Sequence, residues 1–319
     1  MEGRLIVLPR DGLRKTSVFV TGNAHRCILV VGSQTETLFA TPFVEHMVEK
    51  LGKKWAVAQV MLGSSIVGQC EHGHDVDADD VAAALGALVK EQGMDEVVLY
   101  ASGTGVQVAL EVLASKSQSK LVTRVIFHGG ILPPQGSALF SVEATQRRVE
   151  FAHKLIEEKR GNDTSAMLKV YDMVVTPGRL FRDATLTVQE AVWQPALGES
   201  FSTCKKTLRG VTVPVLFLLS TEASYTAAAK DALPTVQEAV KHATGLPAED
   251  IQISLIPSTI DEYRRGLNGN APLVIKTINE FIENADERRD KRASVAAAEA
   301  AREDQAKRIA LSKALSISQ

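Results

Sequence analysis

The stretch Glu96–Leu110, EVVLYASGTGVQVAL, constrains the fold of this chain more than any other. Val97–Tyr100 is a short apolar run of β-formers, and the tight turn Ala101-Ser102-Gly103-Thr104-Gly105 follows it. From Val106 the apolar residues recur at helical spacing through Leu110, Val112 and Leu113. Strand, sharp turn and helix form the setting in which a G-x-S-x-G turn lifts a nucleophilic serine above the end of a sheet. With the small residues of that pattern set on Ala101 and Gly105, Gly103 takes the serine's place. The turn is kept and its nucleophile is not.

The segments around this turn read as alternating strands and helices. Leu5–Leu8 and Ser17–Thr21 flank the turn signal Pro9-Arg10-Asp11-Gly12 and predict an opening antiparallel pair. Cys27–Val31 is a continuous apolar strand of the kind buried on both faces in a parallel sheet. Thr41-Pro42 supplies a cap and a first-turn proline for a helix whose apolar face is Phe43, Val44, Met47, Val48 and Leu51. Trp55–Met61 predicts a strand, Leu62–His74 a loop, Asp77–Gly93 a helix and Leu121–Phe127 a strand ending at His128. The order β-α-β-α-β-α-β implies a parallel sheet with right-handed crossovers.

Leu132–Cys204 interrupts this rhythm with a long amphipathic helix at Val142–Lys159, a polar turn at Gly161–Thr164, and irregular segments around Pro177-Gly178 and Trp193-Gln194-Pro195. An insertion of this kind, after the strand that follows the elbow, is where a lid would sit. The sheet resumes at Pro214–Ser220, with a helix near Pro234–Ala243, a last strand at Ile251–Ile256 and a helix from Pro272. Beyond Ala285, residues 286–319 are rich in Ala, Glu, Arg and Lys with no Gly or Pro, which favours a helical tail. The expected domains are therefore residues 1–285, with the insertion at about 132–204, and the tail 286–319.

At 319 residues, 45% hydrophobic and 23% charged, the chain can bury a large core. A net charge of -2 gives no reason to expect nucleic acid or an acidic membrane as partner. Cys27, Cys70 and Cys204, odd in number and far apart, read as reduced thiols of a cytoplasmic protein. The N-terminus lacks the pattern of a secretory signal, and no apolar run approaches the roughly 20 residues of a membrane helix.

With these segments in view, the sequence resembles the DUF1749 (UPF0613) family of α/β-hydrolase-fold proteins, which includes fungal siderophore-ester hydrolases. The resemblance runs from about Leu5 to Ala285. It is carried by Ile28–Gly32, Leu38-Phe39-Ala40-Thr41-Pro42, Ala58–Ser65, Gly68, Asp77 and Ser102–Gln107. It implies an α/β-hydrolase fold: a mostly parallel central sheet flanked by helices, with a helical lid-like insertion and a C-terminal helical extension. Where such proteins read H-S-T-G-x-Q, this chain reads S-G-T-G-V-Q, which sets Gly103 at the family's serine. A family pattern like S-G-x-D-E-Y meets Ser220-Thr221-Glu222-Ala223-Ser224-Tyr225, so the acid position falls on Ala223. A pattern like I-P-G-A-x-H meets Ile256-Pro257-Ser258-Thr259-Ile260-Asp261, which puts Asp261 or a neighbour at the histidine position, and no histidine occurs after His242.

A Ser-His-Asp site needs a nucleophile, a base and an acid. Gly103, Ala223 and Asp261 are expected to supply none of the three. Ser102 and Thr104 each stand one residue from the apex, so their side chains leave the turn in other directions, and Glu222 is an acid without a base. Cys70, His72 and His74, with Asp75, Asp77 and Asp79, form a weak metal-ligand pattern, and Asp77 reads more simply as a helix N-cap. His128 reads as a core or turn histidine. Cys204 beside Lys205-Lys206 could have a lowered pKa, but it reads better as an ordinary thiol. Arg147-Arg148 and Arg264-Arg265 read as solvated pairs. No catalytic residue, cofactor or metal is expected.

These readings lead to a pseudoenzyme: a hydrolase fold kept as a structural or scaffolding component of a larger assembly, such as a cytoskeletal one, contacted in part by the C-terminal helix. Two alternatives stand beside it. One is an esterase with a rearranged site, and the other is a small-molecule binder that uses the old pocket under the insertion.

Overall fold

In a computed structural model of the chain, residues 1–9, 15–33, 36–40, 44–65, 74–128, 142–170, 173–184, 201–220, 233–256 and 271–317 are described. The chain divides into one compact unit, Met1–Thr277, and a second, Ile278–Gln319. β1 (Arg4–Pro9) and β2 (Lys15–Thr21) pair antiparallel with Leu5 opposite Phe19, as the turn signal between them predicts. β3 (Arg26–Val31), β4 (Ala56–Met61), β5 (Glu96–Ser102) and β6 (Arg124–His128) follow, then β9 (Val215–Ser220) and β10 (Ile251–Ile256). Together they form one eight-stranded sheet in the order β1-β2-β4-β3-β5-β6-β9-β10. β2 is antiparallel to β4, and every pairing from β4 through β10 is parallel.

The central strands are apolar along their whole length because helices cover both faces of a parallel sheet. Cys27 to Val31 and Val97 to Ala101 are each at most 2% exposed. α1 (Val44–Leu51), α2 (His74–Gly86), α3 (Gly105–Ala114) and the short α4 (Lys116–Ser119) connect these strands. The predicted cap Thr41-Pro42 and Phe43 lie outside the described residues. At the N-terminal ends of the strands, Arg26 and Arg124 both reach the Glu96 carboxylate, at 2.9 and 3.3 Å, and the Arg26 guanidinium stacks 4.0 Å above the Trp55 ring.

Three expectations need correction. The helix expected to begin at Asp77 begins at His74, so Asp77 lies inside the first turn of α2 and is not its N-cap. It also does not run unbroken to Gly93: at Ala87–Glu91 it widens into a π-helical turn, in which Gln92 N–H reaches back to the Ala87 carbonyl. The segment at Pro177-Gly178 is not irregular. It opens the helix α6 (Pro177–Ala184), where a proline at the first helical position gives up no hydrogen bond.

Within the insertion, α5 (Val142–Glu157) matches the predicted amphipathic helix. A two-stranded antiparallel ribbon, β7 (Leu168–Val170) and β8 (Met173–Val175), follows it. Ala152, Val175 and Leu180 form a small separate core there. Trp193-Gln194-Pro195 lies outside the described residues. α7 (Phe201–Leu208), α8 (Leu233–Thr244) and α9 (Ala271–Ile317) complete the chain. α9 is continuous through the charged tail. Val274, Ile275, Ile278, Phe281, Ile282 and Ala285 are buried, and residues 289–307 are exposed.

Candidate functional site

β5, its turn and α3 form the elbow that the sequence predicts. Gly103 sits at the apex with φ +56°, the left-handed conformation in which a side chain costs about 1–2 kcal/mol. Its N–H donates to the His128 carbonyl at 3.3 Å, which ties the turn to the end of β6. Gly105 starts α3 so close to β3 that a β-carbon there would stand 2.5 Å from the Val31 and Gly32 carbonyls. The glycines let the helix and strand ends touch.

A β-carbon on Gly103 would collide with the Ser33 hydroxyl. Ser33 follows β3, and its Oγ donates to the Ser102 carbonyl at 3.3 Å. A side chain from a neighbouring loop thus occupies the space in which an apex nucleophile would stand. In elbow sites an N–H from the loop after this strand also helps bind the oxyanion. Here the Ser33 N–H donates to Glu36 Oε2 at 2.8 Å, while the Glu36 N–H donates to the Ser33 carbonyl at 3.1 Å. A carboxylate bound to that amide opposes the negative charge an oxyanion would bring to it.

The neighbours of the apex point elsewhere. Ser102 is fully buried and its Oγ has no hydrogen-bond partner among the described residues. His128, its register partner on β6, is instead bonded through Nδ1 to the Tyr100 hydroxyl at 2.5 Å. Thr104 is the N-cap residue of α3 but makes no side-chain cap bond. Burial pushes the His128 imidazole down from its ordinary 6.5 to about 4. It is therefore neutral in the fold, while an unfolded chain binds its proton below about pH 6.5. The stability this contributes, about 3 kcal/mol, is complete above pH 6.5 and is lost as pH falls towards 4. Urea midpoints at pH 7 and pH 4.5 should show this loss, and His128→Asn, which cannot titrate, should flatten it.

A buried polar cluster ties the insertion to the sheet end. Asp77 and Arg179 are both 0% exposed, and Arg179 Nη1 donates to Asp77 Oδ2 at 2.7 Å. The same carboxylate accepts from Ser64 Oγ at 2.8 Å and Ser64 N–H at 3.1 Å. One turn further along α2, Asp80 accepts from Thr16 Oγ1 at 2.6 Å and Gly63 N–H at 2.8 Å. Two aspartates on one helix thereby hold the short 3-10 turn Gly63–Ser65 that ends β4. Sequence reasoning missed this role because Arg179 lies 102 residues from Asp77. The Ser33–Glu36 contact had a signal, since S-x-x-E is the capping-box spacing.

The other predicted residues divide between described and undescribed parts of the chain. Ala223, Asp261, Glu222, Cys70, His72 and the Arg264-Arg265 pair lie outside the described residues. His74, Asp75 and Asp79 lie on α2, and the described residues contain no group of three or more metal-ligating side chains. Cys204 is buried, and burial pushes its thiol up to about 11, which rules against activation by Lys205-Lys206. Cys27 is also buried and free. Among the described residues no helix is long and apolar enough to cross a membrane.

This strand order, with a tight elbow after β5 and an insertion after β6, defines an α/β-hydrolase-fold protein. The chain belongs to the DUF1749 family, a protein of unknown function, whose model matches residues 14–248. Among solved structures it is similar to an "Alpha/Beta hydrolase fold protein of unknown function", at 34% identity and a TM-score of 0.75, covering 91% of this chain and 98% of that one. It shares its fold with the siderophore hydrolase EstB from Aspergillus fumigatus (14% identity, 89% and 98% covered, TM-score 0.60). Est1E from Butyrivibrio proteoclasticus shares it as well (12% identity, 90% and 100% covered, TM-score 0.53). No curated protein matches the chain significantly.

Proposed function

We propose that this protein is a non-catalytic member of the α/β-hydrolase fold, a scaffold that acts by binding protein partners within a larger assembly. The observation that carries this reading is the elbow apex: Gly103 offers no nucleophile, and the Ser33 hydroxyl fills the space where one would stand. The Glu36 carboxylate on the Ser33 amide supports it, since that amide is not free to receive an oxyanion. The fold's stability does not depend on triad residues, so their loss leaves the core intact and the surface open to a new role. In this reading the exposed length of α9 serves as a tether along a partner. A cytoplasmic, cytoskeleton-associated setting belongs to the same proposal.

A fluorophosphonate probe tests the chemistry. No adduct is expected on residues 102–105, and an adduct there would favour a rearranged esterase. Deleting residues 286–319 tests the tether. The truncated protein should keep its melting temperature and lose co-purifying partners, and unchanged co-purification would remove α9 from this role.

A further inference from the structure

β1 is one of the two edge strands of the sheet and pairs only with β2 among the described residues, so one row of its backbone N–H and C=O groups faces away from β2. Edge strands are usually blunted by charges, prolines or bulges. Here Arg4 and Pro9 stand at the ends of β1 and Leu5-Ile6-Val7 fills its middle. The strand's two faces differ sharply. Leu8 is buried and Ile6 half-buried towards the core, whereas Leu5 and Val7 are 58% and 52% exposed.

The outer face is apolar beyond β1. Leu5 lies opposite Phe19, whose ring occupies the space a β-carbon on Gly3 would need. Phe39 sets its ring edge-on to Phe19 at 4.8 Å and is itself 50% exposed. It holds a positive φ of 69°, fixed by its N–H donating to Gln59 Oε1 at 2.9 Å. Among the described residues, seven large hydrophobic side chains are exposed, and three of these, Leu5, Val7 and Phe39, lie on β1 or against its neighbour Phe19.

We propose that two copies of this chain associate edge to edge through β1, antiparallel across a two-fold axis, continuing the sheet from one copy into the other. The free backbone groups of an open strand edge are satisfied by another extended strand, and β1 is complementary to itself. Residues paired across an antiparallel ladder share a face, so a two-fold axis normal to the sheet pairs odd-numbered positions with odd ones. Centring the ladder on Ile6 sets Leu5 of each copy against Val7 of the other. The two Arg4 residues then fall at opposite ends, each facing a leucine at position 8. Apolar cross-strand pairs meet on the exposed face, and no like charges oppose each other. This association does not depend on whether the elbow is inert.

Sedimentation equilibrium of the full chain across a micromolar series tests the proposal. A monomer–dimer equilibrium is expected, and Val7→Lys should raise its dissociation constant by about tenfold or more. Circular dichroism at a concentration well below the dissociation constant, where both chains are monomeric, should show an unchanged melt for this exposed position. If that variant does not fold, Val7→Thr takes its place in the same measurement. The register has its own test. A mixture of Leu5→Cys and Val7→Cys chains should form an intermolecular disulfide under mild oxidation, faster than either variant alone and than the unmodified chain. A strictly monomeric protein, a dimer insensitive to both Val7 variants, or equal cross-linking in the mixed and single samples would overturn the inference.

Discussion

Asp77→Ala should destabilise the protein by about 3–5 kcal/mol, because it removes a carboxylate that pairs with the fully buried Arg179 at 2.7 Å. The change also strands the Ser64 hydroxyl and amide, which donate to the same group. For a chain of this size the melting temperature should fall by roughly 10 °C, with a matching drop in the urea midpoint. The double variant Asp77→Leu with Arg179→Met should recover the part of the loss owed to the buried charge, since an apolar pair removes both charges together, while the Ser64 donors stay stranded. If Asp77→Ala melted like the parent chain, the 2.7 Å contact would not be what secures α6 to α2. If the double variant were worse than the single one, the ion pair would have a positive value beyond mutual neutralisation.

Gly103→Ser, which restores the residue the family resemblance places at the apex, should cost stability and gain no activity. The φ of +56° penalises any β-carbon by about 1–2 kcal/mol. Ser33 must also turn away and give up its bond to the Ser102 carbonyl, worth about 1 kcal/mol. The expected loss is about 2–3 kcal/mol, read from chemical denaturation. Adding Ser33→Gly should return part of it by clearing the collision. Hydrolysis of a p-nitrophenyl ester should stay at the uncatalysed rate in both variants, since His128 is engaged by Tyr100 and its burial disfavours the imidazolium that a general base must become. Turnover above that rate would place a competent base beside the apex and leave the missing nucleophile as the sole defect of the site.

The elbow and the sheet were legible because their signals are local. A run such as Cys27–Val31 is apolar at every position, which only a strand covered on both faces requires. Ile251–Ile256 was bounded to the residue, and the alternation of strands and helices implied a parallel sheet. The apex was equally plain, since a glycine between Ser102 and Thr104 needs no tertiary information to lack a nucleophile. Errors came where distant residues intervene. Asp77 read as a helix cap because capping is the commonest local use of an aspartate before an apolar run. Its actual partners are Ser64, in the 3-10 turn after β4, and Arg179, 102 residues further along the chain. Pro177-Gly178 read as irregular because the same residue type that interrupts a helix also begins one.

The sequence by itself determined the class of fold, the position of the elbow and the absence of a side chain at its apex, because periodicity, turn chemistry and residue identity act within a few positions. Only the tertiary structure decided what fills the space at the apex, what pairs with Asp77 and which strands lie at the edges of the sheet among the described residues. Those outcomes depend on segments brought together by the ladder. The Ser33 hydroxyl meets Gly103 only because β3 and β5 are neighbours in the sheet, with their C-terminal ends in register.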